Sequence, residues 1–105
     1  MVLLIVTFFS DVYSQCISAF PYNQDFESSN GGWIVGGSNS DWAWGTPTKA
    51  TINSASSGSK CWISGNLSGN SYNGGQKSYV ESPCFDFTSL TNPIIKFSIF
   101  IIFDK

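Results

Sequence analysis

FPYNQDFESSNGGWIVGGSNSDWAWG, residues 20–45, concentrates the aromatic and turn-forming residues of this chain. It contains three of the four tryptophans and three of the seven acidic residues, separated by paired glycines. Glycine lets the backbone turn sharply between short extended segments. Indole rings either fill a core or offer a flat face to a ligand. The stretch therefore predicts short strands joined by tight turns.

The composition of the whole chain favours one small all-β domain. The 105 residues are only 11% charged but 16% aromatic, and Gly, Ser and Asn make up much of the polar part. Such a composition suits strands and turns and disfavours helices. Nine Phe and four Trp also argue against disorder, because these residues must be buried somewhere.

Several classes of function are excluded by residues that the chain lacks. The net charge is −2, and all five basic residues are lysines, so the basic patch and Arg contacts of nucleic-acid binding are missing. There is no histidine, which excludes Ser-His-Asp and Cys-His nucleophiles and zinc sites that use histidine.

The first 14 residues, MVLLIVTFFSDVYS, are interpreted as a signal peptide, with residues 15–105 as the mature chain. The apolar run at residues 1–9 has the length of a signal h-region and is too short to span a bilayer. We therefore expect an exported protein that is not integral to the membrane. A buried N-terminal strand is the alternative, because no basic residue precedes the run.

Alternation of apolar and polar residues predicts several short strands. In the first, Phe26 would point inward while Asp25 and Glu27 point outward. The predicted strands are residues 25–27, 32–35, 42–44, 61–64 and 78–82, with loops at 36–41 and 66–77.

The strongest strand pattern is at residues 94–103, IIKFSIFIIF. One face is entirely apolar and the other is half apolar, which is typical of a central strand in a sandwich. The chain ends two residues later, so the pattern predicts that the sequence is a fragment of a longer domain or protein.

Three motifs together resemble a known family. FPYNQDFESSNGGW, DWAWGTP and SYVESPCFDFTSLTNPIIKFSIF resemble the N-terminal half of MAM-like modules. Those modules have a concanavalin A-like jelly-roll fold and occur in secreted multidomain bacterial proteins, sometimes beside metallopeptidase domains. The resemblance implies an antiparallel two-sheet sandwich of which the C-terminal half is missing here.

The three cysteines, Cys16, Cys61 and Cys84, leave one thiol over if a single disulfide forms. Their spacing alone does not settle the pairing. Lead-in and SPC cysteines occur together in MAM-like modules, so the resemblance implies a Cys16–Cys84 disulfide and a free Cys61. A Cys61–Cys84 bond is the alternative.

The candidate site residues are aromatic and acidic. Trp42 and Asp41 are predicted to bind a glycan or protein ligand, by indole stacking and hydrogen bonding. Glu27 and Asp25 are predicted ligands of a structural calcium ion, which prefers carboxylate oxygens. The other tryptophans are expected in the core.

Catalysis is not expected, because the only two glutamates, Glu27 and Glu81, are far apart and in no catalytic motif. The sequence thus predicts a non-catalytic adhesion or binding module, secreted or on the cell surface, with a glycan or surface protein as partner. The alternative is a structural or accessory domain of a secreted peptidase.

Overall fold

The computed structural model describes residues 16–101, and the regular elements in this range are short strands, with no helix. The strands are β1 (Ile34–Ser38), β2 (Ala43–Gly45), β3 (Cys61–Ile63) and β4 (Lys77–Glu81). The prediction of an all-β chain is therefore confirmed for the described part. The predicted signal peptide, residues 1–14, lies outside it.

The strands form two small antiparallel sheets with a nested order. The outer strands β1 and β4 pair with each other, and the inner strands β2 and β3 form the second sheet. In the inner sheet Trp44 lies directly opposite Trp62. Residues directly opposite each other in an antiparallel pair have their side chains on the same face of the sheet.

A disulfide joins the first described residue to the segment that follows β4. Cys16 and Cys84 are bonded, as the resemblance implies, with their Cα atoms 4.6 Å apart. Beside the bond, the N–H of Ile17 donates to the carbonyl of Cys84 at 2.8 Å, and the N–H of Asp86 donates to the carbonyl of Ile17 at 2.8 Å. Cys61 is a half-buried free thiol.

Aromatic rings pack around this junction. The ring centroids of Phe20 and Phe87 are 5.7 Å apart, those of Tyr22 and Phe85 are 5.1 Å apart, and Phe85 stacks on Phe87 at 5.9 Å. These spacings are those of attractive aromatic pairs. The segment before β1 is therefore held against the segment after β4 by ring contacts as well as by the disulfide.

The fully buried core of the described residues is small. Ile63, at 5% exposure, is the one hydrophobic side chain of the core that is buried among these residues, and Pro47 is also fully buried. The tryptophans expected in the core, Trp33, Trp44 and Trp62, are half-buried. Residues 16–101 also contain no helix of the length and apolarity that crossing a membrane requires.

The segment around Phe26 is a turn, so the predicted strand at residues 25–27 is wrong. Phe26 has a φ of 64°, in the left-handed region that strands do not use. Its N–H donates to Oε1 of Gln24 at 2.8 Å, and the N–H of Glu27 donates to Oδ1 of Asp25 at 3.0 Å. Side-chain acceptors this close in sequence compete with a neighbouring strand for the backbone N–H groups. Here the N–H groups of Phe26 and Glu27 are bonded to these side chains and are not available to a strand neighbour.

Strand β1 runs through two glycines that the sequence places in a loop. The prediction ends a strand at residue 35, whereas β1 includes Gly36 and Gly37 and ends at Ser38. The reason is the close approach of β4, which leaves no room for a side chain at Gly37. The predicted strands at 42–44, 61–64 and 78–82 correspond to β2, β3 and β4, each displaced by a single residue at one or both ends.

The predicted strand at residues 94–103 is wrong for its described part, because residues 94–101 form no strand. Their side chains are instead exposed, from 58% at Ile101 to 77% at Phe97. The alternating pattern suits a strand, but a strand also needs a hydrogen-bonded neighbour. No other described segment supplies one.

Candidate functional site

The carboxylate of Glu27 holds a distant loop against the turn at Phe26. Its Oε1 accepts hydrogen bonds from the backbone N–H groups of Ser59 and Lys60, both at 2.8 Å. Its Oε2 accepts from the hydroxyl of Ser59 at 3.0 Å. We call these three residues the Glu27 clamp. The clamp joins residues more than 30 positions apart in the chain.

The environment of the Glu27 clamp favours the charged carboxylate. The hydrogen bond from the N–H of Lys60, followed by that from the N–H of Ser59, lowers the pKa of Glu27 below its ordinary value of 4.5. The ammonium group of Lys60 lies 4.9 Å from the ring centroid of Trp44, within the range of a cation–π contact.

Two indole groups of the inner sheet donate hydrogen bonds to the turn that carries Glu27. Nε1 of Trp44 donates to the carbonyl of Phe26 at 2.8 Å, and Nε1 of Trp62 donates to the carbonyl of Asn30 at 3.2 Å. The ring of Trp33 packs edge-on against Phe26 at 5.6 Å. These indoles therefore have a structural role in fixing the turn onto the sheet.

Asp41 holds a second loop in a similar way. It is buried, at 4% exposure. Its Oδ1 accepts from the N–H of Gly65 at 2.8 Å, and its Oδ2 accepts from the N–H of Asn73 at 2.7 Å. We call these three residues the Asp41 clamp. It fixes both ends of the 65–73 loop to the residue that precedes Trp42.

Two effects act on the pKa of Asp41 in opposite directions. Burial of the carboxyl group raises the pKa, but the hydrogen bonds from Asn73 and Gly65 lower it more. The pKa of Asp41 therefore lies below its ordinary value of 3.8, and the group is charged at neutral pH. Nearby, Nζ of Lys49 donates to the carbonyl of Gly65, which adds a positive charge to the same loop.

The structure places the two predicted ligand-binding residues in different surroundings. Both oxygens of Asp41 accept backbone hydrogen bonds, which favours a structural role for this side chain. Trp42 is half-buried and lines an open cavity. Binding of a glycan or protein by this pair stays a prediction, with Trp42 as the more accessible member.

The predicted calcium ligands Glu27 and Asp25 lie in the same turn. Calcium requires six to eight oxygen ligands. Glu27 already accepts three hydrogen bonds, and Asp25 accepts one from the N–H of Glu27. Residues 16–101 contain no cluster of three or more His, Cys, Asp or Glu side chains that could hold a metal ion. Calcium binding therefore stays a prediction.

The cavity next to Trp42 is too large for a typical small-molecule site. Its volume is 2190 Å³, whereas ligand pockets usually measure about 300–1,000 Å³. Its walls come from the segment before β1, from the mostly polar residues 49–57, from β3, from residues 70–72 and from residues 90–101. Because apolar side chains dominate several of these walls, the cavity has the character of an unfilled core.

Sequence reasoning missed the partners of both clamps. Ser59 and Lys60 lie in a polar segment without a motif, and Gly65 and Asn73 lie in or beside a region that the sequence predicts as a plain surface loop. All four residues act through backbone N–H groups, which every residue except proline possesses. The available signal was indirect: the glycines in these loops allow backbone N–H groups to converge on a carboxylate.

Comparison with known proteins gives one informative similarity. Over 77 residues, 70% of this chain, the sequence is 39% identical to Bacillopeptidase F of Bacillus subtilis (strain 168). The chain covers only 5% of that protein's length. No family model matches the chain, and no solved structure matches it. This chain is therefore similar to a short segment of a much longer protein whose name describes a peptidase.

Proposed function

We propose that this chain is a non-catalytic accessory module of an exported multidomain peptidase. The similarity to a segment that makes up 5% of Bacillopeptidase F carries the proposal. The chain has no histidine, so it cannot supply a Ser-His-Asp or Cys-His nucleophile. The acidic side chains of the two clamps hold loops in place, which is a structural task.

Export from the cytoplasm is part of the proposal. The apolar run at residues 1–9 supports it, because its length is that of the apolar h-region of a signal peptide. The Cys16–Cys84 disulfide also supports it, because such bonds persist mainly in oxidising compartments. We place the protein outside the cell or at the cell surface.

We also propose a specific fold for the two sheets. We take the two sheets as the opening elements of an antiparallel jelly-roll sandwich of the MAM-like, concanavalin A-like type. Two small sheets with an unfilled apolar cavity suit the first half of such a sandwich, in which the remaining strands would complete the core.

Adhesion is the second candidate function. In it, the module binds a glycan or a cell-surface protein through Trp42, with a structural calcium ion near Glu27. The position of Trp42 in the cavity wall favours this function, because an accessible indole can stack on a sugar ring. The engagement of Asp41 within the protein counts against a polar ligand contact from that residue.

The accessory role is tested by deleting the matching segment from Bacillopeptidase F. We expect the shortened protein to hydrolyse a short soluble peptide as fast as the intact protein does, because the module contributes no catalytic group. The purified 105-residue chain should hydrolyse neither that peptide nor casein.

A thermal melt of both long proteins provides the control, since it shows that the shortened protein is folded. Loss of peptide hydrolysis by a folded deletion protein would place the segment at the active site and contradict the proposal. So would hydrolysis by the isolated chain.

A further inference from the structure

The dipeptide Asn-Gly occurs twice in this chain, at residues 30–31 and 73–74. Asparagine is chemically labile before glycine, because glycine has no side chain to shield its backbone nitrogen. In spontaneous deamidation that nitrogen attacks Cγ of the asparagine side chain. The sequence does not distinguish the two sites, but the structure places their side-chain amides in different surroundings.

At Asn30 the surrounding groups favour the attack. Oδ1 of Asn30 accepts a hydrogen bond from the N–H of Gly32 at 2.9 Å. A backbone donor at this oxygen stabilises the negative charge that develops there when Cγ is attacked. The attacking nitrogen is that of Gly31, whose N–H donates to the hydroxyl of Ser29 at 3.1 Å, so the departing proton already has an acceptor. Asn30 and Ser29 are both exposed to water.

At Asn73 hydrogen bonds protect the side-chain amide. Its Nδ2, the group that must leave, donates to the backbone carbonyl of Asn39 at 3.0 Å and to that of Ser40 at 3.4 Å. Its backbone N–H donates to Oδ2 of the buried Asp41 at 2.7 Å. Asn73 is also half-buried. Loss of the amide would break both bonds of Nδ2, so deamidation here requires the loop to open first.

We propose that Asn30 is a site of spontaneous deamidation in the folded protein and that Asn73 is protected. The nitrogen of Gly31 forms a bond to Cγ of Asn30, and the bond between Cγ and Nδ2 breaks. Ammonia leaves with the proton of the Gly31 N–H, and a succinimide ring remains. Water then opens the ring at either carbonyl, which gives aspartate or isoaspartate without any oxidant or reductant.

Deamidation at Asn30 alters the turn that carries the Glu27 clamp. The carbonyl of Asn30 accepts from Nε1 of Trp62 at 3.2 Å and from the N–H of Trp33 at 3.3 Å. In isoaspartate the main chain runs through the former side chain and gains a methylene group, so this carbonyl becomes part of a free carboxylate beside the chain. We therefore expect conversion of Asn30 to loosen the turn from the inner sheet.

Heavy-oxygen water tests the proposal, because each ring opening adds a labelled oxygen to the residue concerned. The full 105-residue chain is incubated at neutral pH, either folded or reduced in urea, and is then digested with trypsin for fragmentation mass spectrometry. Cleavage after the lysines puts residues 30 and 73 into different peptides. In the folded chain residue 30 should be labelled about tenfold faster than residue 73, the ratio that one ordinary hydrogen bond gives. In urea the two rates should be similar.

The matched control is Asn30→Gln, which keeps a side-chain amide but closes a ring much less readily. It should acquire no label at residue 30. Loosening of the turn is measured by brief trypsin treatment of the folded protein, since the Glu27 clamp holds the backbone N–H of Lys60. After long incubation the wild type should be cleaved after Lys60 faster than fresh wild type, and the incubated control variant should not.

Equal labelling of residues 30 and 73 in the folded chain would overturn the proposal. Slower labelling of residue 30 in the folded chain than in urea would also overturn it, because the fold would then protect Asn30. Cleavage after Lys60 at one rate in fresh and incubated wild type would contradict the loosening of the turn. These measurements are independent of the accessory role, which is tested by peptide hydrolysis.

Discussion

Asp41 stabilises this protein by joining parts of the chain that are distant in sequence. Its two carboxylate oxygens accept from N–H groups located 24 and 32 residues further along. If this carboxylate were removed, each of those N–H groups would lose its hydrogen-bond partner. Because Asp41 is buried, water would not fully replace the lost partner. The carboxylate of Asp41 therefore helps to hold both ends of the 65–73 loop, together with the hydrogen bonds that Lys49 and Thr48 make to the same loop.

We predict that Asp41→Asn destabilises the protein by about 2 kcal/mol, because the amide turns an N–H group toward a backbone donor that needs an acceptor. Urea unfolding followed by tryptophan fluorescence measures the change. Asp25→Asn is the matched control, since Asp25 is exposed and accepts a single hydrogen bond from Glu27. An equal effect of the two substitutions would show that the Asp41 clamp has no special role.

The stability difference between wild type and Asp41→Asn should also depend on pH. The pKa of Asp41 is lower in the folded protein than its ordinary value of 3.8, so folding favours the charged form. The stability that the charged carboxylate of Asp41 contributes is complete above pH 3.8, and it is lost as the pH falls through the pKa of Asp41 in the folded protein. Repeating the unfolding measurements from about pH 7 to about pH 2 tests this, and a constant difference would contradict it.

At the scale of single elements, Gly37 explains why β1 can lie against β4. A Cβ atom at Gly37 would lie 2.2 Å from the carbonyl oxygen of Lys77 and 2.7 Å from the Cα of Ser78, both backbone atoms. The φ of Gly37 is 93°, which is also unfavourable for other residues. At Gly36, by contrast, a Cβ would meet only the ring of Tyr79, which is 53% exposed and can move.

We predict that Gly37→Ala destabilises the β1–β4 sheet by about 2–3 kcal/mol, from backbone strain and overlap with β4. Gly75→Ala is the control, because Gly75 has a φ of 64° and no atom lies within 4 Å of the point that its new Cβ would occupy. It should cost about 1 kcal/mol. Denaturant melts measure both values, and equal costs would exclude the overlap with Lys77 as the cause.

The strands that the sequence predicts best are those whose side chains decide their conformation. Trp44 and Trp62 lie in such strands, because aromatic residues alternating with smaller ones favour an extended backbone. The pattern at Phe26 fails because Gln24 and Asp25 offer acceptors within two residues. Gly36 and Gly37 have the sequence character of a loop. Their place in β1 depends on pairing with β4, about 40 residues away, which the local sequence does not show.

The candidate site was predictable to a similar extent. The acidic residues that matter, Glu27 and Asp41, stand out in the sequence because charged residues are scarce in it. Their roles did not stand out, because their partners are backbone N–H groups in distant loops. A carboxylate predicted to bind a ligand or metal and one that clamps a loop have the same appearance in sequence.

At the scale of the whole molecule, the disulfide links the two ends of the region that contains the strands. Cys16 and Cys84 are separated by 68 positions, so the bond encloses all four strands. Closing a loop of that length stabilises a fold by about 4 kcal/mol in the chain-entropy model. The disulfide therefore contributes stability that the small core does not supply.

We predict that trypsin digestion without reduction yields one crosslinked pair of peptides, containing Cys16 and Cys84. Cleavage after the lysines puts each cysteine into a separate peptide, so mass spectrometry identifies the pairing directly. Cys61 should react slowly with iodoacetamide in the folded protein, since burial raises the pKa of its thiol. A crosslink that contains Cys61 would contradict the pairing.

The small core has a consequence for the thermodynamics of this chain. The heat capacity change of unfolding arises mainly from the apolar surface that becomes exposed to water. Among the described residues Ile63 is the one hydrophobic side chain that is almost fully buried, and Trp33, Trp44 and Trp62 are only half-buried, so unfolding exposes less apolar surface than in a domain of this length with a fully buried core. The curve of stability against temperature is therefore shallow, and cooling weakens the fold less than it would weaken a protein with a large apolar interior.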